Sequence, residues 1–236
     1  MDLKITDAVV AKFKDKDSAK PRFRKLYEER PFLEAYAEHT NLRVKDNPKG
    51  AIGREDEWET HGKLQLEFMI KEGLRPHHTL LDVGCGVGRA ARRFVPYLEA
   101  ANYVGIDISQ GALDYAIQLA ADEGWEQKGP VFLINSDLAG LEDHGPFNFM
   151  WAHSVMTHLP PQQAELMISN AAALLATNGR FCFTYKPGVK LHRSGLKQFQ
   201  APAEFFTGLG VKAGLYAEAI PQQWPAGQRT IRLTKR

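Results

Sequence analysis

A short apolar run that breaks straight into a glycine-rich turn limits this chain's fold more than any other feature. Residues 79–83 read TLLDV, and Gly84-Cys85-Gly86-Val87-Gly88-Arg89 follows with no spacer. A short, continuous apolar run suits a strand covered on both faces. The glycines let the backbone turn tightly and approach a ligand without Cβ clashes. A helix expected over Arg89 to Ala100, shortened or kinked by Pro96, would present unpaired N–H groups at its start. Such a turn suits a nucleotide-type ligand; a tight turn with no ligand is the competing explanation.

The rest of the chain repeats the strand–helix alternation. Strands are expected over 102–106, 131–134 and 147–152, and a fifth, RFCFTYK, after the Asn178-Gly179 turn. Ser109 is placed to cap a helix that Gly124 stops, and Pro160-Pro161 opens another. Loops are expected from Pro187 to about Gln200, a short helix over 202–208, and two late strands over 213–220 and 229–233. Upstream, a helix from Arg22 to about His39 is interrupted near Pro31, Asn47 to Gly50 turns, and a helix runs from Glu55 to Glu72. This order predicts an α/β fold: a Rossmann-like, doubly wound, mostly parallel seven-stranded sheet with an N-terminal helical extension. The division expected is 1–60 as extension or cap and 61–236 as the main domain.

Ligands of such sheets bind at the carboxyl ends of the strands, where strand order reverses. Asp82 stands two residues before Gly84, and the glycine spacing is Gly-x-Gly-x-Gly. A carboxylate there suits the ammonium of a methionine moiety better than a pyrophosphate, which argues against an NAD-linked oxidoreductase. Asp107 follows Gly88 by 19 residues at the end of the second strand, where a carboxylate can bind ribose hydroxyls. Asp137, after the third strand, is a candidate acceptor for an adenine amino group, with the Leu138 N–H donating to a ring nitrogen; a loop aspartate kept for its turn is the alternative.

These segments, LLDVGCGVGRA, YVGIDIS, NSDL and WAHSVMTHLPP, resemble the successive motifs of the class I S-adenosylmethionine (SAM)-dependent methyltransferases. The resemblance covers residues 79–185 and extends loosely to the end of the chain. It implies SAM as cofactor, with Asp82, Gly84, Gly86 and Gly88 along the methionine half, Asp107 at the ribose, and Asp137 with Leu138 at the adenine. Cys85, Arg89, Ile108, Ser136, Ala152 and His153 complete the expected cofactor contacts. Many relatives carry an aspartate in the fourth strand where this chain has Asn148.

Methyl transfer needs alignment of nucleophile, methyl and sulfur, and a base only where the acceptor must lose a proton. His153 and His158, flanking the end of the fourth strand, are the candidate catalytic residues. Trp58 and His61, on the helix before the first motif, and Tyr185, past the fifth strand, are candidate substrate contacts; core packing is the alternative for Trp58 and Tyr185. An aromatic ring over a sulfonium would gain about 0.5–2 kcal/mol of cation–π attraction. No Cys/His spacing suits a metal, and adjacent His77 and His78 point opposite ways on an extended chain.

A net charge of +2 gives no strong nucleic-acid signal. Eight Lys/Arg and four Asp/Glu between Lys12 and Arg30 read as a solvated, mixed-sign face. No apolar run is long enough to span a membrane, the first residues do not read as a signal peptide, and two cysteines give no disulfide framework. A cytoplasmic enzyme acting on a small-molecule acceptor is the expectation; a SAM-binding scaffold without catalysis is the alternative from another class.

Overall fold

A computed structural model describes residues 20–236; the first part of the expected extension, including Lys12 to Lys16 of the charged stretch, lies outside the described residues. Nine strands form: β1 (Leu80–Val83), β2 (Tyr103–Asp107), β3 (Val131–Ile134), β4 (Phe147–Ala152), β5 (Leu175–Tyr185), β6 (His192–Ser194), β7 (Gln198–Gln200), β8 (Tyr216–Gln223) and β9 (Arg229–Thr234). Seven of them make one sheet of order β3-β2-β1-β4-β5-β9-β8. β1 pairs in parallel with both β2 and β4, and β9, antiparallel to β5 and β8, runs opposite to the other six strands. Strand order therefore reverses between β1 and β4, and the carboxyl ends of β1 to β4 share one edge.

Alternation along β1 divides the interior. Leu81 and Val83 belong to the core packed by α7 (Pro161–Leu174) and α8 (Ala203–Lys212), with Phe181, Phe183 and Ile231. Leu80 belongs to the opposite core, with Phe94 and Val95 of α5 (Ala91–Tyr97) and Phe68 and Met69 of α4 (Trp58–Lys71). All four β1 residues are buried, as the continuous apolar run requires. α6 (Gln110–Asp122) follows β2, and Ser109 caps it by accepting from Ala112 N at 3.1 Å.

Upstream lie α1 (Pro21–Glu29), α2 (Phe32–Asp46) and the one-turn α3 (Pro48–Ala51). Pro31 separates α1 from α2, because it cannot continue the α1 hydrogen-bond ladder. The expected turn at Asn47 is instead the cap of α3, with Asn47 Oδ1 accepting from Gly50 N at 3.0 Å. The expected division at residue 60 falls inside the first turn of α4.

Several boundaries differ from expectation; α2 runs on to Asp46, past the expected end near His39, and α5 is shorter than the expected Arg89 to Ala100. The stretch after Pro187 is not all loop: β6 and β7 form a hairpin turned at Gly195, anchored by buried Leu196 and Phe199. α8 passes the expected stop at Gly208 and ends before Gly214, which delays β8 to Tyr216. β5 begins at Leu175 and carries Asn178-Gly179 within it, opposite a register shift between Phe147 and Phe149.

Asn148 sits at the amino-terminal edge of the sheet. Its Oδ1 accepts from Thr79 N at 3.0 Å and lies 3.1 Å from Thr79 Oγ1, while Asn148 N donates to Thr79 Oγ1 at 3.0 Å. This clip joins the starts of β1 and β4 and needs an acceptor, not a charge. Asn148→Ala should lower the unfolding free energy by about 1–3 kcal/mol in urea titrations, and Asn148→Asp should lose less. Equal losses in the two variants would show that the acceptor is not what holds the strand starts together.

Candidate functional site

The glycine turn starts where β1 ends. Gly84 has φ +68°, and a Cβ there would run into Val155, which follows β4. Pairing with β2 continues past the strand, since Cys85 N donates to Ile106 O at 2.9 Å. Gly88 has φ +83°, and a Cβ there would lie 3.2 Å from Ala116 Cβ of α6. Gly88 therefore serves the contact between turn and α6 and, contrary to expectation, does not border the cavity.

That cavity, about 450 Å³, opens at the carboxyl edge of the sheet. Of the candidate site residues named from the sequence, Asp82, Gly84, Cys85, Gly86, Arg89, Asp107, Ile108, Ser136, His153 and His158 line it. Its roof comes from segments without a recognisable motif. α2 supplies Leu33, Tyr36, Thr40 and Arg43; the stretch after α3 supplies Ile52 to Arg54; the β6–β7 turn supplies Lys197 and Gln198. Asn41 docks α2 on the start of α6, its Oδ1 accepting from Ser109 Oγ at 2.7 Å and Gly111 N at 3.1 Å.

Two carboxylates flank the glycine turn. Asp82 is buried and accepts from Tyr103 OH at 2.8 Å. Burial pushes its carboxyl up to about 7; the tyrosine hydrogen bond opposes this and the Asp107 charge adds to it. Asp107 Oδ2 accepts from Gly86 N at 2.9 Å and Oδ1 from Ser109 N at 2.8 Å. Burial raises its pKa too, against these backbone hydrogen bonds. A carboxylate offers about four lone-pair sites, so each Asp107 oxygen keeps room for one further donor.

Arg89 is 8% exposed, and its Nε, sealed from solvent, has no hydrogen-bond partner. Its Nη1 lies 3.4 Å from both Ile52 O and His61 Nδ1. Burial brings its pKa down to about 10, so it stays charged at neutral pH. A buried guanidinium with an orphaned donor is costly unless an anion joins it. His61 sits behind Arg89, its Nε2 3.2 Å from a Glu57 carboxylate oxygen, rather than on the cavity wall.

Several expected contacts lie elsewhere. Leu138 N donates to Asn135 Oδ1 at 2.7 Å and its side chain is buried in the core, so this N–H is engaged within its own turn. Asp137 Oδ1 accepts from Ala139 N at 3.0 Å, the loop role weighed from the sequence. The cavity wall past β3 is Asn135 and Ser136 instead. Ala152 is buried core. Trp58 packs with Val44, Val87 and Ala112, and the cation over its ring is the Lys49 ammonium, 5.6 Å from the centroid. Tyr185 is buried against Phe206, ring centroids 5.1 Å apart. Both are packing residues.

The two candidate catalytic histidines differ in setting. His158 Nδ1 lies 2.9 Å from Lys197 O, and its ring stacks on Tyr36 at 5.3 Å. It thus ties the β6–β7 hairpin and α2 to the end of β4. His153 is stacked parallel to Trp151 at 5.8 Å and lies 5.0 Å from Trp224. Burial, with the nearby Arg89 and His61 charges, holds its pKa well below the ordinary histidine value, so it is neutral at pH 7. Among the described residues no cluster of metal-ligating side chains occurs.

Residues 81–181 match the family model "Methyltransferase domain". Curated relatives include sterol 24-C-methyltransferase erg6 of Aspergillus fumigatus, 30% identical over 111 residues, covering 47% of this chain and 26% of that protein. Cyclopropane mycolic acid synthase MmaA2 of Mycobacterium bovis is 35% identical over 114 residues, covering 41% and 38%. The match thus spans well under half the length of these relatives. Among solved structures, magnesium protoporphyrin IX methyltransferase (ChlM) from Synechocystis with bound SAM superposes with a TM-score of 0.70 at 18% identity, covering 88% of this chain and 98% of that one. The [4+2]-cyclase SpnF has a TM-score of 0.67 at 16% identity, covering 86% and 96%. The chain thus resembles methyltransferases in sequence over residues 81–181 and in fold over most of its length.

Proposed function

We propose that this chain binds SAM in the cavity at the carboxyl edge of its sheet and transfers the methyl group to a small-molecule acceptor. The observation that carries the reading is the pair Asp82 and Asp107 at the ends of adjacent strands, flanking a turn beside which Arg89 keeps an unpartnered buried donor. The three groups fit the three polar parts of one ligand. Asp82 takes the ammonium, Arg89 the carboxylate, and the two remaining lone-pair positions of Asp107 the ribose hydroxyls. Ile108, Asn135 and Ser136 border the adenine end. The cavity volume lies within the range of small-molecule sites.

Bound SAM supplies an electrophilic methyl on a sulfonium. The chain's residues orient and enclose it. Tyr36 and Leu33 of α2, with Val155 and Leu159, form the apolar side of the cavity, where an acceptor approaches and water is displaced. α2 and the stretch after α3, with the β6–β7 hairpin, act as the cap that selects the acceptor. Cys85 and Cys182 are buried and unpaired, which supports a reducing, cytoplasmic setting. No helix among the described residues is long and apolar enough to cross a membrane.

A second reading, a SAM-binding protein without methyl transfer, is favoured by one observation: a chain of this fold is a [4+2]-cyclase, and fold does not fix chemistry. Incubation with radiolabelled SAM and a metabolite extract separates the two. Label entering a small-molecule fraction supports methyl transfer, whereas tight SAM binding with no labelled product supports the second reading.

Asp107→Ala should weaken SAM binding at least about tenfold, given about 1.5–3 kcal/mol per hydrogen bond to a charged group. Calorimetry on a variant with unchanged circular dichroism checks this, and unchanged affinity would remove Asp107 from the ribose. pH gives an independent test. With Asp82 pushed up to about 7, the free protein is increasingly protonated there as pH falls, and an ammonium needs the ionised form. SAM affinity should drop roughly tenfold per pH unit between about 7 and 5.5. Asp82→Asn should abolish this slope, and Tyr103→Phe should move its onset to higher pH. A flat profile in the wild type would place the ammonium elsewhere.

A further inference from the structure

We infer that Thr184 and Gln228 are positioning residues that fix the proton of His153 on Nδ1, leaving Nε2 as a proton acceptor facing the cavity, and that the methyl acceptor therefore gives up a proton, as an O–H or N–H group does. The inference rests on the SAM reading of the site.

The argument is an account of donors. His153 Nδ1 lies 3.4 Å from Thr184 Oγ1, at the long end of hydrogen-bond distance. Thr184 is fully buried in β5. Its oxygen accepts from Ser154 N at 2.7 Å, and its single proton goes to Gln228 Oε1 at 2.5 Å. Gln228 Nε2 in turn donates to Ser154 Oγ at 2.5 Å. Having spent its proton on Gln228, Thr184 can only accept from the imidazole, so Nδ1 bears the hydrogen. Neutral imidazole then has a bare Nε2. This atom makes no hydrogen bond among the described residues and is not sealed from solvent, and His153 lines the cavity. Stacking on Trp151 and contact with Trp224 hold the ring plane.

The amide of Gln228 is thus the determinant. Reversing it would direct the Thr184 proton onto Nδ1 and invert the tautomer. With Nε2 bare, the acceptor's O–H or N–H bond breaks and its proton passes to Nε2. The electron pair left on the heteroatom forms the bond to the methyl carbon, and the carbon–sulfur bond electrons stay with the departing thioether. No external oxidant or reductant enters. An acceptor that loses no proton, such as a thioether or an amine already lacking one, would have no use for this arrangement.

The test is imidazole nitrogen–proton correlation NMR on the full chain, with ¹⁵N-histidine and no ligand. His153 is assigned by the signals lost in His153→Gln. The wild type at pH 7 should show neutral His153 with Nδ1 protonated, in up to about tenfold excess over the other tautomer. Gln228→Leu, which frees the Thr184 proton, should shift the population toward Nε2–H, while Gln228→Glu, which still accepts from Thr184, should keep Nδ1–H. Nε2–H or imidazolium in the wild type would overturn the inference, whatever the variants do. SAM titration of the same sample separates the two readings. Binding with Nε2–H sinks this inference alone, whereas Nδ1–H without binding sinks the cofactor reading and with it the proton-acceptor role.

Discussion

Two carboxylates at neighbouring strand ends, Asp82 buried and Asp107 half-buried, are the constraint around which the site is organised. Parallel pairing of β1 with β2 brings Asp82 and Asp107 to the same edge of the sheet. Each is desolvated, and the charge of Asp107 raises Asp82 further. Such a pair is tolerated only with compensation. Asp107 receives it from the Gly86 and Ser109 amides, which the glycine turn and the start of α6 supply. Asp82 receives one hydrogen bond, from Tyr103. The deficit at Asp82 is therefore larger, and it lies where a cationic ligand restores most of the lost solvation.

The same logic explains what was legible in the sequence. The glycine turn, both acids and the strand–helix alternation follow from local patterns: a continuous apolar run, positive-φ turns, and an acid at a strand end. Those patterns are set within a few residues, so no tertiary knowledge is needed. Gly88 misleads for the same reason. Its φ of +83° demands glycine, yet the space it leaves is filled by Ala116 of α6, a contact invisible from the turn alone. Leu138 N–H misleads because Asn135, three residues earlier, captures it. Trp58 and His61 share a helix, but only packing decides that the first joins Val87 in the core while the second backs Arg89.

The roof was legible only as a helix from Arg22 within an expected cap over residues 1–60, not as cavity-lining side chains. Tyr36, Thr40 and Arg43 sit on α2, whose apolar periodicity is weak because one side faces the cavity and carries mixed chemistry. α2 is docked on α6 by Asn41, which reads two donors at the start of that helix. The β6–β7 hairpin is equally cryptic, since three-residue strands leave almost no alternation to read. It is held by His158 bonding Lys197 O. His158 thus has a job that a search for catalytic histidines does not anticipate: it fastens the cap to the catalytic edge.

Charge balance links cofactor choice to the tautomer of His153. Asp82, Asp107 and Arg89, when ionised, sum to one negative charge beside the turn. SAM, with an ammonium, a carboxylate and a sulfonium, carries one net positive charge and neutralises the group. Loss of the methyl removes the sulfonium charge. A proton moved from the acceptor to Nε2 of His153 would replace it on a ring whose pKa is depressed by burial, Arg89 and His61. The imidazolium is then strained by its surroundings yet balanced by the two carboxylates. That combination holds the proton through methyl transfer and favours its release once the product leaves and water re-enters.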